Sequence, residues 1–442
     1  MKKFLFPLII LVTCFTTAQS TVLLGNLDIS LEKETLVGDY SLTNLNVESS
    51  KVQIILHHKI AIKETLLNGQ KISIKKTKEE CYDCDIYEIS LSKPITPSDT
   101  LHLKTKGSFK SYSNGKNKKD YKGEIVNNYG ILRASEQSKW YPTFVGPNQM
   151  SSISNKTYYT YAIKASCTDC RNIYIGSGIP KSSGSTFESS IPTENIMLIA
   201  GDFDWQETDH AIYINIDQES TISYFDALFQ SINSYYETTT AIKMPKKFTF
   251  AHLPSDNSSW GGFMTYPTIV NVNQKLAAKN LEGYLSHEVA HYLFGNVFKP
   301  KTNLYWLFLE SFAEYYSYKY RLEYHPELMK RPYERLQKAQ NFVRLDKVEH
   351  YHEITNGYRY LIGAFQLLAI EHLIGEEKMI AFTKALFLDR KDKQTNGYEL
   401  LLKTLKNSGV DDKAINDIEE KIIKNFDLDT YTFVASKIKT TE

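Results

Sequence analysis

The sequence predicts an α+β protein, an N-terminal β-sheet domain followed by a mainly helical one. Three observations carry that expectation. Short β-branched and aromatic runs, punctuated by Gly, Asn, Ser and Pro, fill the first half. From about residue 215 the apolar spacing turns helical. Two apolar segments further on, around 285–291 and 305–314, carry charged and imidazole side chains that an apolar helix does not bury without a partner. The chain has 442 residues and is 42% hydrophobic, enough for two ordinary cores. The expected boundaries are a targeting segment at 1–18, a β-rich domain at 19–212 and a helical domain at 213–442.

The targeting segment has three parts. Lys2-Lys3 is a charged start, Phe4 to Phe15 an apolar stretch, and Thr16-Thr17-Ala18 a small-residue cleavage site. The apolar stretch is too short to span a bilayer, and no other segment is suited to cross one. An exported protein, secreted or periplasmic, is the expectation. Leu11-Val12-Thr13-Cys14 offers a competing reading, a lipoprotein signal with a lipid anchor at Cys14, against which Thr13 is a poor residue before a lipidated cysteine. Lys+Arg number 52 and Asp+Glu 51, so there is no electrostatic case for nucleic acid or an anionic membrane surface.

In the β-rich part, Val22-Leu23-Leu24, Val52 to Leu56, Ile86 to Leu91, Leu101-His102-Leu103 and Tyr158 to Ile163 read as strands. Lys106 to Lys122 is polar and reads as an exposed loop. His57-His58 sits at a strand end, where adjacent side chains point to opposite faces, and is expected to be structural or solvated. Cys81 and Cys84, and Cys167 and Cys170, form two C-x-x-C pairs. The 82 residues between the pairs are more than a zinc ribbon uses. In an exported protein disulfides are favoured, with three pairings open.

In the second half, Tyr224 to Tyr236 has helical spacing and Phe248 to Leu253 alternates like a strand. Ser286 to His291 then contains H-e-x-x-h in its full form, H-E-x-x-H. On a helix, His287 and His291 share one face about 6 Å apart along the axis and can grip one Zn2+ ion. Glu288 leans toward the open coordination position, where a carboxylate can take a proton from metal-bound water. A catalytic zinc needs a third protein ligand, and eighteen residues separate His291 from Glu310, which follows directly on the apolar segment Tyr305 to Leu309. Glu314, four residues later on the same face, reads as the carboxylate that orients a zinc-bound histidine.

His287-Glu288-Val289-Ala290-His291-Tyr292-Leu293-Phe294-Gly295-Asn296 closely resembles the aminopeptidase N family of gluzincin zinc peptidases, which carries H-E-x-A-H-x-x-F-G-N and then a glutamate ligand within L-N-E-G-F-A. Here that second motif reads Leu309-Glu310-Ser311-Phe312-Ala313, with Asn and Gly replaced. The resemblance implies a thermolysin-like catalytic domain behind the β domain, and a peptide or protein substrate. Gly261 to Val270 resembles the family's G-x-M-E-N-P-G-L-I edge strand beside the substrate, which implies substrate-binding roles for Gly262, Met264 and Thr265. The family's amine-recognising glutamate is Thr265 in this chain. Trp140 to Phe144 loosely resembles the F-P-C-F-D region of the family's β domain, which usually brings a Gln or Glu near this point, with Glu136 the nearest candidate.

Glu327 to Phe342 is expected to be a charged amphipathic scaffold helix, and His350 and His352 surface residues. Tyr358 to Ala364, running into the helix Phe365 to Ile374, resembles the family's Y-E-K-G helix. Tyr360 falls on the motif tyrosine, with Tyr358 as the alternative, and a phenol there can donate a hydrogen bond to the developing oxyanion. Helices at Gly397 to Lys406 and Asp411 to Asn425 follow. The large helical C-terminal domain of many relatives is not recognisable, which implies a more open cleft. The expected activity is zinc-dependent peptide-bond hydrolysis, aminopeptidase-like, with two alternatives: an endopeptidase that needs no free N-terminus, because threonine cannot neutralise an ammonium, and a non-catalytic peptide-binding relative.

Overall fold

The computed structural model describes residues 20–45, 50–78, 84–109, 123–145, 158–176, 178–193, 196–216, 218–255, 261–273, 276, 281–298, 302–340, 342–388 and 396–439. The targeting segment expected at 1–18 with Cys14, most of the loop expected at 106–122, and Cys81 lie outside them. The fold is α+β. Among the described residues the strands form sheets of seven, five, four and five strands, and the helices follow in the second half of the chain.

The first three sheets enclose one core, which includes Leu23, Leu27, Ile54, Leu56, Leu103 and Trp140. Alternation explains them: Leu101–Ser108 buries every second residue, and Tyr159–Cys167 nearly does, so each strand faces the core once per two residues. Thr21–Ser30 is central, pairing antiparallel with Thr35–Thr43 and parallel with Tyr159–Cys167. Cys167 is disulfide-bonded to Cys170 and Cys84 is also in a disulfide, in line with the disulfide expectation.

His57 is fully buried, with its Nδ1 accepting the Lys59 amide at 3.2 Å and its Nε2 3.7 Å from Glu124. The expectation of opposite faces fails for His57 and His58. The strand ends at His57, so His58 turns back and the two rings lie 4.3 Å apart.

The last sheet runs Trp205–Glu207, Ala211–Ile214, Phe248–His252, Thr268–Asn271 and Gly262–Thr265. Its three middle strands are parallel and almost wholly buried, as a sheet covered on both faces requires. One face packs on strands of the N-terminal half through Ile131, Tyr174 and Ile199. The other packs on helices: α1 (Glu219–Thr240), which is the crossover between two parallel strands, then α2 (Leu281–Ala290), α3 (Phe312–Tyr324), α4 (Lys330–Leu336), α5 (Gly363–Ile374) and α6 (Glu376–Leu388). The helix expected over Glu327 to Phe342 is shorter than its pattern. Pro332 is tolerated only in a first turn, so α4 begins at Lys330 behind a 3₁₀ turn at Pro326–Met329.

Candidate metal centre and active site

α2 is anchored before it presents any chemistry. Leu285 and Val289 are fully buried, the Tyr236 hydroxyl of α1 donates to the Ser286 carbonyl at 2.7 Å, and the Tyr284 hydroxyl donates to the Val270 carbonyl at 2.7 Å. His287 stands on the last turn of α2, and His291 on the turn just past its end. The His291 Nδ1 lies 3.1 Å from the Phe294 carbonyl, which can only accept, so Nδ1 carries the proton. The His287 Nδ1 lies 2.7 Å from the Glu314 carboxylate. Both Nε2 atoms are thereby turned inward, 3.1 Å apart.

Glu310 meets them. Its Oε2 lies 3.4 Å from the His287 Nε2 and 3.3 Å from the His291 Nε2. The segment carrying it, Leu307–Ser311, is a π-helical turn running straight into α3, and such turns recur at functional sites. Glu314 follows one turn later, accepting from Arg321 at 2.8 Å; Arg321 is buried, sits over the Tyr318 ring, and also donates to Ser317. Burial works against charge on Glu314, but Arg321 and His287 hold its carboxyl below the usual range.

These side chains together could hold a metal ion. A tetrahedral zinc with bonds of about 2.0–2.1 Å keeps its ligand atoms about 3.3–3.4 Å apart, close to the three separations here. The donor chemistry agrees. Two imidazole lone pairs and a carboxylate converge, and three acceptors facing each other need a cation. Protonation shows the same demand: burial opposes charge on His287, yet the bonds to Glu310 and Glu314 outweigh it and push the imidazolium up to about 10.

Glu288 is buried beside this cluster. Tyr360 lies on a second π-helical turn, Tyr358–Ile362, with its ring 6.0 Å from that of His287. Burial first, then the nearby Glu310, raises its phenol pKa well above the ordinary value, so it stays protonated and able to donate. Tyr358 is fully buried and bonded to Gln366, which removes it from the site. The two π-helical turns interlock: the Ser311 hydroxyl donates to the Arg359 carbonyl at 2.9 Å, and a Cβ at Gly363 would lie 2.3 Å from that hydroxyl oxygen.

The strand Gly262–Thr265 is the sheet edge next to α2. Gly262 is obligatory, since a Cβ there would come 2.0 Å from the Val270 carbonyl and 2.2 Å from the Tyr284 hydroxyl. Gly262 and Met264 are partly exposed, whereas Thr265 is 2% exposed. The structure thus gathers His287, Glu288, His291, Glu310, Glu314 and Tyr360, with the edge strand alongside. Sequence reading missed Arg321, although it lies seven residues, two helical turns, beyond Glu314 in an otherwise tyrosine-rich helix. Glu136 opens a 3₁₀ turn in the N-terminal half. His350 and His352 are exposed, as expected.

No family model matches the sequence, and neither does any curated protein. Solved structures do match. An M1 zinc metallopeptidase variant from Deinococcus radiodurans, bound to a Tyr-Ser-Ala substrate, aligns with a TM-score of 0.67 at 14% identity, covering 92% of this chain and 96% of that one. Native leukotriene A4 hydrolase from Saccharomyces cerevisiae aligns with a TM-score of 0.65 at 13% identity, over 93% of this chain and 69% of that one. The chain has the two-domain fold of the M1 zinc metallopeptidases, with the β-sheet part in front and the helical part behind.

Proposed function

We propose that this chain is an exported, zinc-dependent metallopeptidase that hydrolyses peptide bonds, with aminopeptidase action as the first reading. The observation that carries it is the convergence of the two Nε2 atoms and the Glu310 Oε2 at 3.1–3.4 Å. His287, His291 and Glu310 would hold the zinc. When bound, zinc polarises a carbonyl and lowers the pKa of a water.

The chain's own residues do the rest. Glu314, fixed by Arg321, holds the His287 Nδ1 proton, and the Phe294 carbonyl holds that of His291, so both Nε2 lone pairs stay aimed at the ion. Glu288 accepts the proton that the attacking water loses and gives it to the leaving amine as the C–N bond breaks. Tyr360 donates a hydrogen bond to the oxygen on which charge develops. Among the described residues the strand Gly262–Thr265 lies at the edge of its sheet, where an extended peptide can add. The tripeptide on the Deinococcus enzyme supports a short peptide as substrate.

A second reading rests on Thr265. It is buried and uncharged, so it cannot neutralise an ammonium, and an endopeptidase needs no such group. One peptide supplied with a free and with an acetylated N-terminus separates the two, using Glu288→Gln as the blank. That variant should keep its zinc and lose roughly 10²–10⁴-fold in kcat. Stepwise cleavage of the free form alone establishes an aminopeptidase, and internal cleavage of both forms an endopeptidase. No zinc-dependent cleavage of a broad peptide mixture would overturn the enzyme reading in favour of a peptide-binding protein.

A further inference from the structure

Beside Tyr360 the cleft holds a cation that the proposed chemistry leaves unused. The Arg359 guanidinium lies over the Trp306 ring, 4.2 Å from its centroid, and 5.8 Å from the centroid of Tyr360. Among the described residues no carboxylate pairs with it, and its Nε is buried without a hydrogen-bond partner. This contrasts with Arg321 on α3, which is bonded to Glu314 and Ser317. An arginine normally spends its five donors on carboxylates, carbonyls or water, and a donor buried without an acceptor, as the Arg359 Nε is, is costly until a ligand reaches it.

The placement is held from both sides. The Arg359 carbonyl is fixed by the Ser311 hydroxyl, one residue beyond Glu310, and its guanidinium rests over the Trp306 ring. Arg359 therefore belongs to the same interlocked pair of π-helical turns that carries Glu310 and Tyr360. A peptide residue extends about 3.3–3.6 Å. A side chain or terminus a few residues from a carbonyl at Tyr360 is thus within reach of the guanidinium, whose planar fork matches a carboxylate in two parallel bonds.

We propose that Arg359 is a specificity-determining residue that binds a carboxylate of the peptide substrate. This rests on the peptidase reading of the same cleft and deepens it: recognition uses a substrate anion, where a carboxylate at position 265 would have used a cation. Two sources share that chemistry, the peptide's C-terminal carboxylate and an acidic side chain.

The test is equilibrium binding to zinc-loaded Glu288→Gln protein, which reads recognition whether or not the parent cleaves. Two matched peptide pairs are compared, a C-terminal acid against its amide, and an internal Glu against Gln. The acid should bind about tenfold tighter than its neutral twin in at least one pair, as one charge-assisted contact at a partly exposed site gives, and the pair that shows it names the source. In Arg359→Gln the ratio should fall to about one, and in Arg359→Lys it should be partly kept. Because each ratio is internal to one protein, a general loosening of Trp306 and Tyr360 moves both peptides together and leaves the ratio unchanged. A ratio near one in both pairs of the parent, or a ratio that survives Arg359→Gln, overturns the proposal. Failure to cleave any peptide, with the acid preference intact, overturns only the enzyme reading.

Discussion

Among the described residues, two places bring two histidines and a glutamate within metal-binding distance, and only one of them is built for an ion. In the β-sheet part, His57 and His58 approach Glu124. There the Lys59 ammonium occupies the carboxylate at 2.8 Å, and the backbone amide of the same lysine occupies the His57 Nδ1. If Nδ1 accepts a hydrogen bond, the neutral ring carries its proton on Nε2, the nitrogen that faces Glu124, and has no lone pair left for a metal. In the helical part the same residue types are wired the other way. The second nitrogens of His287 and His291 are held by Glu314 and the Phe294 carbonyl, so lone pairs meet lone pairs and a cation is required. Proximity of ligand types is common, and the protonation of the atoms behind them decides what they do.

The largest break in this contrast comes from removing a convergent donor. Glu310→Ala leaves two imidazoles and an open side, and zinc content measured on purified protein should drop from one equivalent to near none, with peptidase activity falling to background. Glu124→Gln should leave zinc content at one equivalent. Metal retained in Glu310→Ala but lost in Glu124→Gln would reverse the assignment of the two clusters.

A smaller effect sharpens it. Glu314 touches no metal in this arrangement; it fixes His287 and is itself fixed by Arg321. Orienting partners of this kind are worth about 10–100-fold in metal affinity. Glu314→Gln should therefore weaken zinc by that range in a chelator competition, with the stoichiometry at saturation still one. Arg321→Met should weaken it less, because the carboxylate remains. A loss as complete as that of Glu310→Ala would make Glu314 a ligand in its own right.

Those magnitudes follow how local each feature is, and so does what could be read before the fold was known. The pair His287 and His291 is set by one helix, and Glu310 and Glu314 by the next, so period and spacing suffice to find them. The strands were legible for the same reason, since alternation is a property of a few consecutive residues. The Ser311–Arg359 bond joins residues 48 apart in sequence, and the π-helical turns that bring Glu310 and Tyr360 together exist only once the two segments pack. The motif already favours Tyr360 over Tyr358, and only the burial of Tyr358 against Gln366 takes the alternative away from the site. The helix expected from Glu327 starts late because an amphipathic pattern persists through Pro332, whereas the backbone tolerates that proline only in a first turn, so α4 begins at Lys330.

The smallest expected effect lies in the β-sheet cluster, and it appears in stability and not in metal content. The His57 Nε2 facing it at 3.7 Å, ahead of the pairing with Lys59 and against the opposing effect of burial, takes the Glu124 carboxyl from its ordinary 4.5 down to about 2. A carboxyl depressed on folding stabilises the folded state when ionised. That contribution is complete above about pH 4.5 and is lost as the pH falls toward 2. Glu124→Gln removes it at every pH. The stability gap between parent and variant, measured by urea unfolding, should be about 1–3 kcal/mol near neutrality, as for a part-buried hydrogen bond to a charged group, and should close between pH 4.5 and 2. Added zinc should not change that gap. If zinc widened it, His57, His58 and Glu124 would be holding an ion after all, and the proton on the His57 Nε2 would have been placed wrongly.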